Sequence, residues 1–111
     1  MKANYVIATW SGERLSHVYH DPVIRLSAHI NHLYAVHHDL SQITIVVPYN
    51  PEEPVAFTTY INSLPKTIEN TKVVVLRRPN EGFSYGSYSY AYETYRGKFD
   101  HYIFVEDDNI Y

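Results

Sequence analysis

Lys98-Phe99-Asp100-His101-Tyr102-Ile103-Phe104-Val105-Glu106-Asp107-Asp108-Asn109 joins a short apolar run to a cluster of acids. Residues 102–105 are aromatic or β-branched. Such a run predicts a strand buried on both faces, inside a parallel sheet. Three carboxylates follow where that strand would leave the sheet. Neighbouring carboxylates repel one another, so a clustered triplet calls for a cation or for strong donors. All-oxygen ligands suit hard divalent ions such as Mg²⁺ or Mn²⁺, and Mg²⁺ is commonly shared between carboxylates and substrate phosphates. Open α/β sheets bind ligands at the carboxyl ends of their strands. Position and chemistry both fit a metal–phosphate site. A solvated acidic loop capping the strand is the plainer reading, and the triplet alone does not separate the two.

Working back from this stretch, the chain alternates strands and helices. Residues 5–9 and 43–47 read as strands, each ended by turn formers, Ser11-Gly12 and Pro48-Tyr49-Asn50-Pro51. Residues 72–76 are a third strand. Asp21-Pro22 is an N-cap followed by proline, and Val23, Leu26, Ile30, Leu33 and His37 then fall on one helical stripe beside Tyr34, ending near His38. Asn50-Pro51 repeats the cap-plus-proline signal, with Glu52 and Glu53 placed for the first turn. Phe57, Ile61 and Leu64 continue that helix until Pro65. Tyr88, Ala91, Tyr92 and Tyr95 mark a third helix, with Gly97 as its C-cap. The order β-α-β-α-β-α-β predicts a single three-layer, Rossmann-like α/β domain over residues 1–111, with a mostly parallel sheet.

Composition bounds the rest. The chain has 111 residues, a formal charge of −3 and no cysteine. One domain is the ceiling, there is no basic footprint for nucleic acid, and there is no disulfide framework or thiolate metal site. No apolar run is long enough for a signal peptide or a membrane span, so the expectation is a cytoplasmic protein. Twelve tyrosines stand out, most of them in the second half. They read first as packed rings with wet hydroxyls.

The strand ends collect on one edge of such a sheet. They bring Thr9, Trp10, Ser11 and Gly12, then Tyr49 and Asn50, then Arg77 and Arg78, and finally Glu106, Asp107 and Asp108. Hydroxyls, an amide, cations and carboxylates are the mixture that a ribonucleoside diphosphate and its bridging cation require. The loop Asn80-Glu81-Gly82 leading to Gly86 could bring backbone close to an anion at a helix start, yet it fits neither G-x-G-x-x-G nor the P-loop. His29 and His32, three apart, have no carboxylate at ligand spacing, so histidines exposed on a helix face are expected there. No nucleophile–base pair emerges, and no G-x-S-x-G elbow is present.

These pieces resemble the N-terminal half of a GT-A fold glycosyltransferase. The likeness rests on Tyr-Val-Ile-Ala-Thr-Trp-Ser at 5–11, Ile-Thr-Ile-Val-Val-Pro-Tyr-Asn at 43–50, Arg-Pro-Asn-Glu-Gly-Phe-Ser-Tyr-Gly-Ser at 78–87, and Phe-Asp-His-Tyr-Ile-Phe-Val-Glu-Asp-Asp-Asn at 99–109. The last piece matches the family's DxD position in a Glu-Asp-Asp form. The resemblance implies a nucleotide-diphosphate sugar donor, a UDP- or GDP-sugar, with Mn²⁺ or Mg²⁺ on the diphosphate. By family position Asp108 would bind the metal, and Glu106 and Asp107 would hold ribose or metal-bound water. Thr9 and Ser11 would line the nucleoside pocket, and Asn50 would stand where many relatives carry an acid that reads the base. Arg78 and Gly82 would complete the donor site. Relatives continue for another half-domain that supplies the acceptor site, so the chain reads as truncated after the motif, and the acceptor and the catalytic base are unknown. The alternative is a non-catalytic α/β module that self-associates or binds a partner through Tyr85, Tyr88, Tyr92 and Tyr95.

Overall fold

The computed structural model describes residues 2–12, 21–35, 39–80 and 83–107. Their elements are β1 (Ala3–Ala8), α1 (Pro22–Ala35), β2 (Gln42–Pro48), α2 (Val55–Ser63), β3 (Thr67–Ile68), β4 (Thr71–Arg78), α3 (Phe83–Thr94) and β5 (His101–Glu106). The sheet order is β3-β4-β2-β1-β5. All pairings are parallel except β3 with β4. This is an α/β architecture with a mostly parallel sheet, compatible with a Rossmann-like fold.

Alternation along the strands builds two cores. Tyr5 and Ile7 of β1 and Ile43, Ile45 and Val47 of β2 pack against Leu26, Ile30 and Leu33 of α1 and Phe57 and Ile61 of α2. Val6 and Val46 face the other way, toward Tyr88 and Ala91 of α3. So α1 and α2 cover one face and α3 the other. The topology requires this. From β1 the chain steps outward to β2 and β4, then α3 carries it back past β1 to β5. Crossovers of one hand that travel in opposite directions must pass over opposite faces. The reversal falls between the carboxyl ends of β1 and β5, the topological switch point at which open sheets commonly bind ligands.

Local signals explain the element ends. Asp21 caps α1: its Oδ1 accepts from the amides of Val23 at 2.8 Å and Ile24 at 3.2 Å. Asn50-Pro51 does not start α2. Asn50 Oδ1 accepts from the Glu52 amide at 3.0 Å and its carbonyl from the Glu53 amide at 3.1 Å, which closes a turn. Pro54 is the reason, because the residue before a proline is pushed out of helical geometry. The helix therefore waits until Val55, with Pro54 as a cap that makes no side-chain bond. The same rule ends α2, where Leu64, before Pro65, is extended at ψ 138°. A short hairpin, β3 to β4, turns through Glu69 at φ 53° and was not expected from the sequence. Gly97 adopts φ 78°, closing the turn after α3, although the helix itself stops at Thr94.

The expectation that β5 is buried on both faces is overturned. It is an edge strand, with Ile103 42% and Phe104 39% exposed, and Val105 is its one apolar residue in the core. Its aromatic content comes from partial cover. Tyr88 packs on Phe104, and Tyr92 on Tyr102, with ring centroids 5.1 Å apart in each pair. Tyr95 and Phe99 extend this cluster. Tyr88 and Tyr95 are partly covered by these contacts, whereas Tyr92 is 40% and Tyr85 81% exposed.

Candidate functional site at the strand ends

Asp107 continues β5 past its last ladder residue, its amide bonded to the Ala8 carbonyl at 3.0 Å. Alternation turns its side chain to the α1 face, below Thr9 at the end of β1. Thr9 Oγ1 donates to Asp107 Oδ2 at 2.7 Å. Arg25 Nε donates to the same oxygen at 3.1 Å, and both charged side chains are wholly buried. Arg25 Nη2 donates onward to the carbonyls of Trp10 at 2.8 Å and Gly12 at 3.1 Å. One guanidinium thus joins the turn after β1 to the end of β5.

His29, one helical turn after Arg25, takes the other side of Asp107. Its Nδ1 lies 3.0 Å from the Asp107 main-chain oxygen and its Nε2 lies 2.9 Å from the Tyr5 hydroxyl. A carbonyl oxygen only accepts, so Nδ1 carries the proton and Nε2 accepts from Tyr5. Burial pushes the His29 pKa below its ordinary value, against the opposing pull of the Asp107 carbonyl and carboxylate. The expected exposed histidine is therefore corrected: His29 is 1% exposed. With both ring nitrogens engaged in the interior, it cannot act as a base on a ligand.

Across the sheet edge, Ser11 is buried and accepts a hydrogen bond from Asn50 Nδ2 at 2.9 Å. Glu53 lies nearby and pairs with Arg77 at 2.5 and 3.0 Å. The Arg77 guanidinium holds the Glu53 carboxyl below the usual carboxylate range, with help from Thr58 and against desolvation. Trp10 folds over Gly12. A Cβ added at Gly12 would lie 2.5 Å from the indole Nε1, so the turn is matched to a residue without a side chain.

The predicted residues divide into groups. Thr9 and Asp107 meet where β1 and β5 end, with the half-buried Glu106 preceding Asp107 in the chain. Ser11 and Asn50 meet one strand over. Arg78 stands apart at the end of β4, under α3, where it donates to Ser87 Oγ at 2.9 Å and the Pro79 carbonyl at 2.6 Å. Asp108 and Gly82 lie outside the described residues, as do His17, His20, His37 and His38. Among the described residues no group of three or more His, Asp or Glu side chains is placed to hold a metal ion. Asp107 is enclosed and paired with Arg25, which does not suit a metal ligand. The sequence reading assigned no site role to Arg25 or Tyr5 and set His29 on an exposed helix face. The signal was there: Arg25 and His29 are polar residues four apart, flanking the apolar stripe Leu26, Ile30 and Leu33.

No helix among the described residues is long and apolar enough to cross a membrane. No family model matches the chain, and neither do any curated protein or solved structure.

Proposed function

We propose that this chain is the donor-binding part of a metal-dependent glycosyltransferase of GT-A type, taking a UDP- or GDP-sugar. The observation that supports it most is the meeting of the acidic end of β5 with the hydroxyl-bearing end of β1 at the switch point of a parallel sheet. Of the residues on this edge Asn50, half-buried, would face a nucleoside, while Thr9 and Ser11, both buried, would support it from beneath. Asp108 would hold Mn²⁺ or Mg²⁺, and Glu106 would face ribose or metal-bound water. When bound, the ion would stabilise negative charge on the departing diphosphate. Asp107 supports the site from beneath rather than reaching the donor. Calorimetry with UDP- and GDP-sugars, with and without Mn²⁺, tests the reading. Metal-dependent binding of one nucleotide class is the expected result, and no such binding at millimolar ligand would overturn it.

A second reading draws on β5. Its outer edge pairs with no described strand, and Ile103 and Phe104 are exposed on its two faces. Such edges template association with another chain. Self-association through β5, or through the tyrosine helix on which Tyr85 and Tyr92 are exposed, is the non-catalytic alternative. Sedimentation over a range of concentrations separates the two, since a strict monomer that binds nucleotide excludes it.

A further inference from the structure

Asp107 is tethered through its amide to Ala8, its carbonyl to His29, and its carboxylate to Thr9 and Arg25. Of these groups, Arg25 also reaches the turn after β1, through the carbonyls of Trp10 and Gly12. A buried guanidinium must satisfy its remaining N–H donors as well as its charge, and here the Trp10 and Gly12 carbonyls take two of them. The two carbonyl contacts make the arrangement a clamp. A guanidinium holds its donors in one rigid plane, so the spacing between carbonyls and carboxylate is set by a single flat group. A lysine ammonium is a compact point donor on a flexible stem and cannot fix that spacing. With no exposed side-chain surface, Arg25 cannot itself touch a ligand.

We propose that Arg25 is a positioning residue for the donor site. It sets the distance between the turn after β1 and the end of β5. The proposal rests on the donor-site reading above. Partners of this kind, one step behind the ligand-bearing groups, typically change metal affinity by about 10–100-fold when removed.

Trp10 is the sole tryptophan, so its emission reports the clamped turn directly. Three variants are compared with the parent: Arg25→Met, Arg25→Lys, and Ile61→Ala, which opens the core on α2 away from the donor site. Each is studied where its far-ultraviolet circular dichroism is that of the folded parent. Binding is read by calorimetry with Mn²⁺ and UDP-glucose or GDP-mannose. Arg25→Met is expected to shift the Trp10 emission and weaken Mn²⁺-dependent binding about tenfold or more. Arg25→Lys is expected to regain thermal midpoint, because a charge again faces Asp107, without restoring the emission. Ile61→Ala is expected to lower the midpoint and leave emission and affinity unchanged. Should Arg25→Met not fold, Arg25→Met combined with Asp107→Leu leaves no charge buried alone, and its Trp10 emission carries the same comparison. Parental emission and affinity in a folded Arg25→Met would overturn the proposal, as would an equal loss of affinity in Ile61→Ala. If the parent binds no donor at all, the donor reading fails, while the emission comparison still decides whether Arg25 clamps the turn.

Discussion

Asp107 Oδ2 lies 3.1 Å from Arg25 Nε, and neither side chain keeps any exposed surface. A buried pair is asymmetric in its energetics. Replacing both partners with apolar groups can be neutral, whereas removing one leaves the other charge uncompensated. Asp107→Asn is therefore expected to lower the unfolding free energy by about 3–5 kcal/mol. Urea denaturation measures it, and a loss under about 1 kcal/mol would mean that the pair is relaxed in solution. Glu93–Arg96, at 3.7 Å and with side chains 62% and 71% exposed, is the contrast, and Glu93→Gln should leave the midpoint where it was.

His29 makes stability depend on pH. Its folded pKa lies below the ordinary value of 6.5, chiefly through desolvation. Below 6.5 the unfolded chain takes up a proton that the folded chain refuses, so the unfolded state binds more protons. Stability then rises with pH through this window. The His29 contribution is complete above 6.5 and is lost as pH falls from there toward the depressed folded value. Unfolding free energies measured across that window should slope upward in the parent and less so in His29→Gln. Equal slopes would remove His29 from the account.

Much of the scaffold was legible because short-range sterics and alternation set it. Asp21-Pro22 starts α1, and the β-branched runs form the central strands. What was missed depends on neighbours distant in the chain. Asn50-Pro51 carries a sound helix signal that Pro54 cancels. Residues 102–105 have interior composition, yet whether a strand is central or at an edge is decided by where α3 returns the chain. The site divides the same way. The sequence put Thr9 and Asp107 on one edge, but their bond joins residues 98 positions apart. Arg25 and His29 gave only a faint pattern, because burial of a polar helical residue depends on what another element places opposite it.

Two turns carry a backbone test. Gly97, at φ 78°, has open space around the position of a Cβ, so a substitution there meets conformational strain and no clash. Gly97→Ala should cost about 1–2 kcal/mol, the penalty of left-handed geometry for a residue with a side chain. Glu69 already bears that penalty at φ 53°. Glu69→Gly should relieve it, less about 0.5–1 kcal/mol of added unfolded-state entropy, for a small net gain. Thermal unfolding of the two variants should move in opposite directions, and movement in the same direction would contradict the backbone assignment.

The last prediction separates Asp108 from Asp107 within the acidic triplet. Asp107 is enclosed by Thr9, Arg25 and His29, so changing it acts on folding before it acts on any ligand. Asp108 is the acid that the donor reading assigns to the metal, and that reading gives it no role in the core. Asp108→Ala is thus expected to keep the parental unfolding midpoint and to abolish Mn²⁺-dependent binding of a nucleotide sugar. Asp107→Asn is expected to lose midpoint first. Removing Mn²⁺ with a chelator should bring the parent to the level of Asp108→Ala and leave Asp108→Ala unaffected. Parental affinity in the Asp108→Ala variant would take the metal away from this strand end. A chelator effect that persisted in that variant would place the ion elsewhere on the chain.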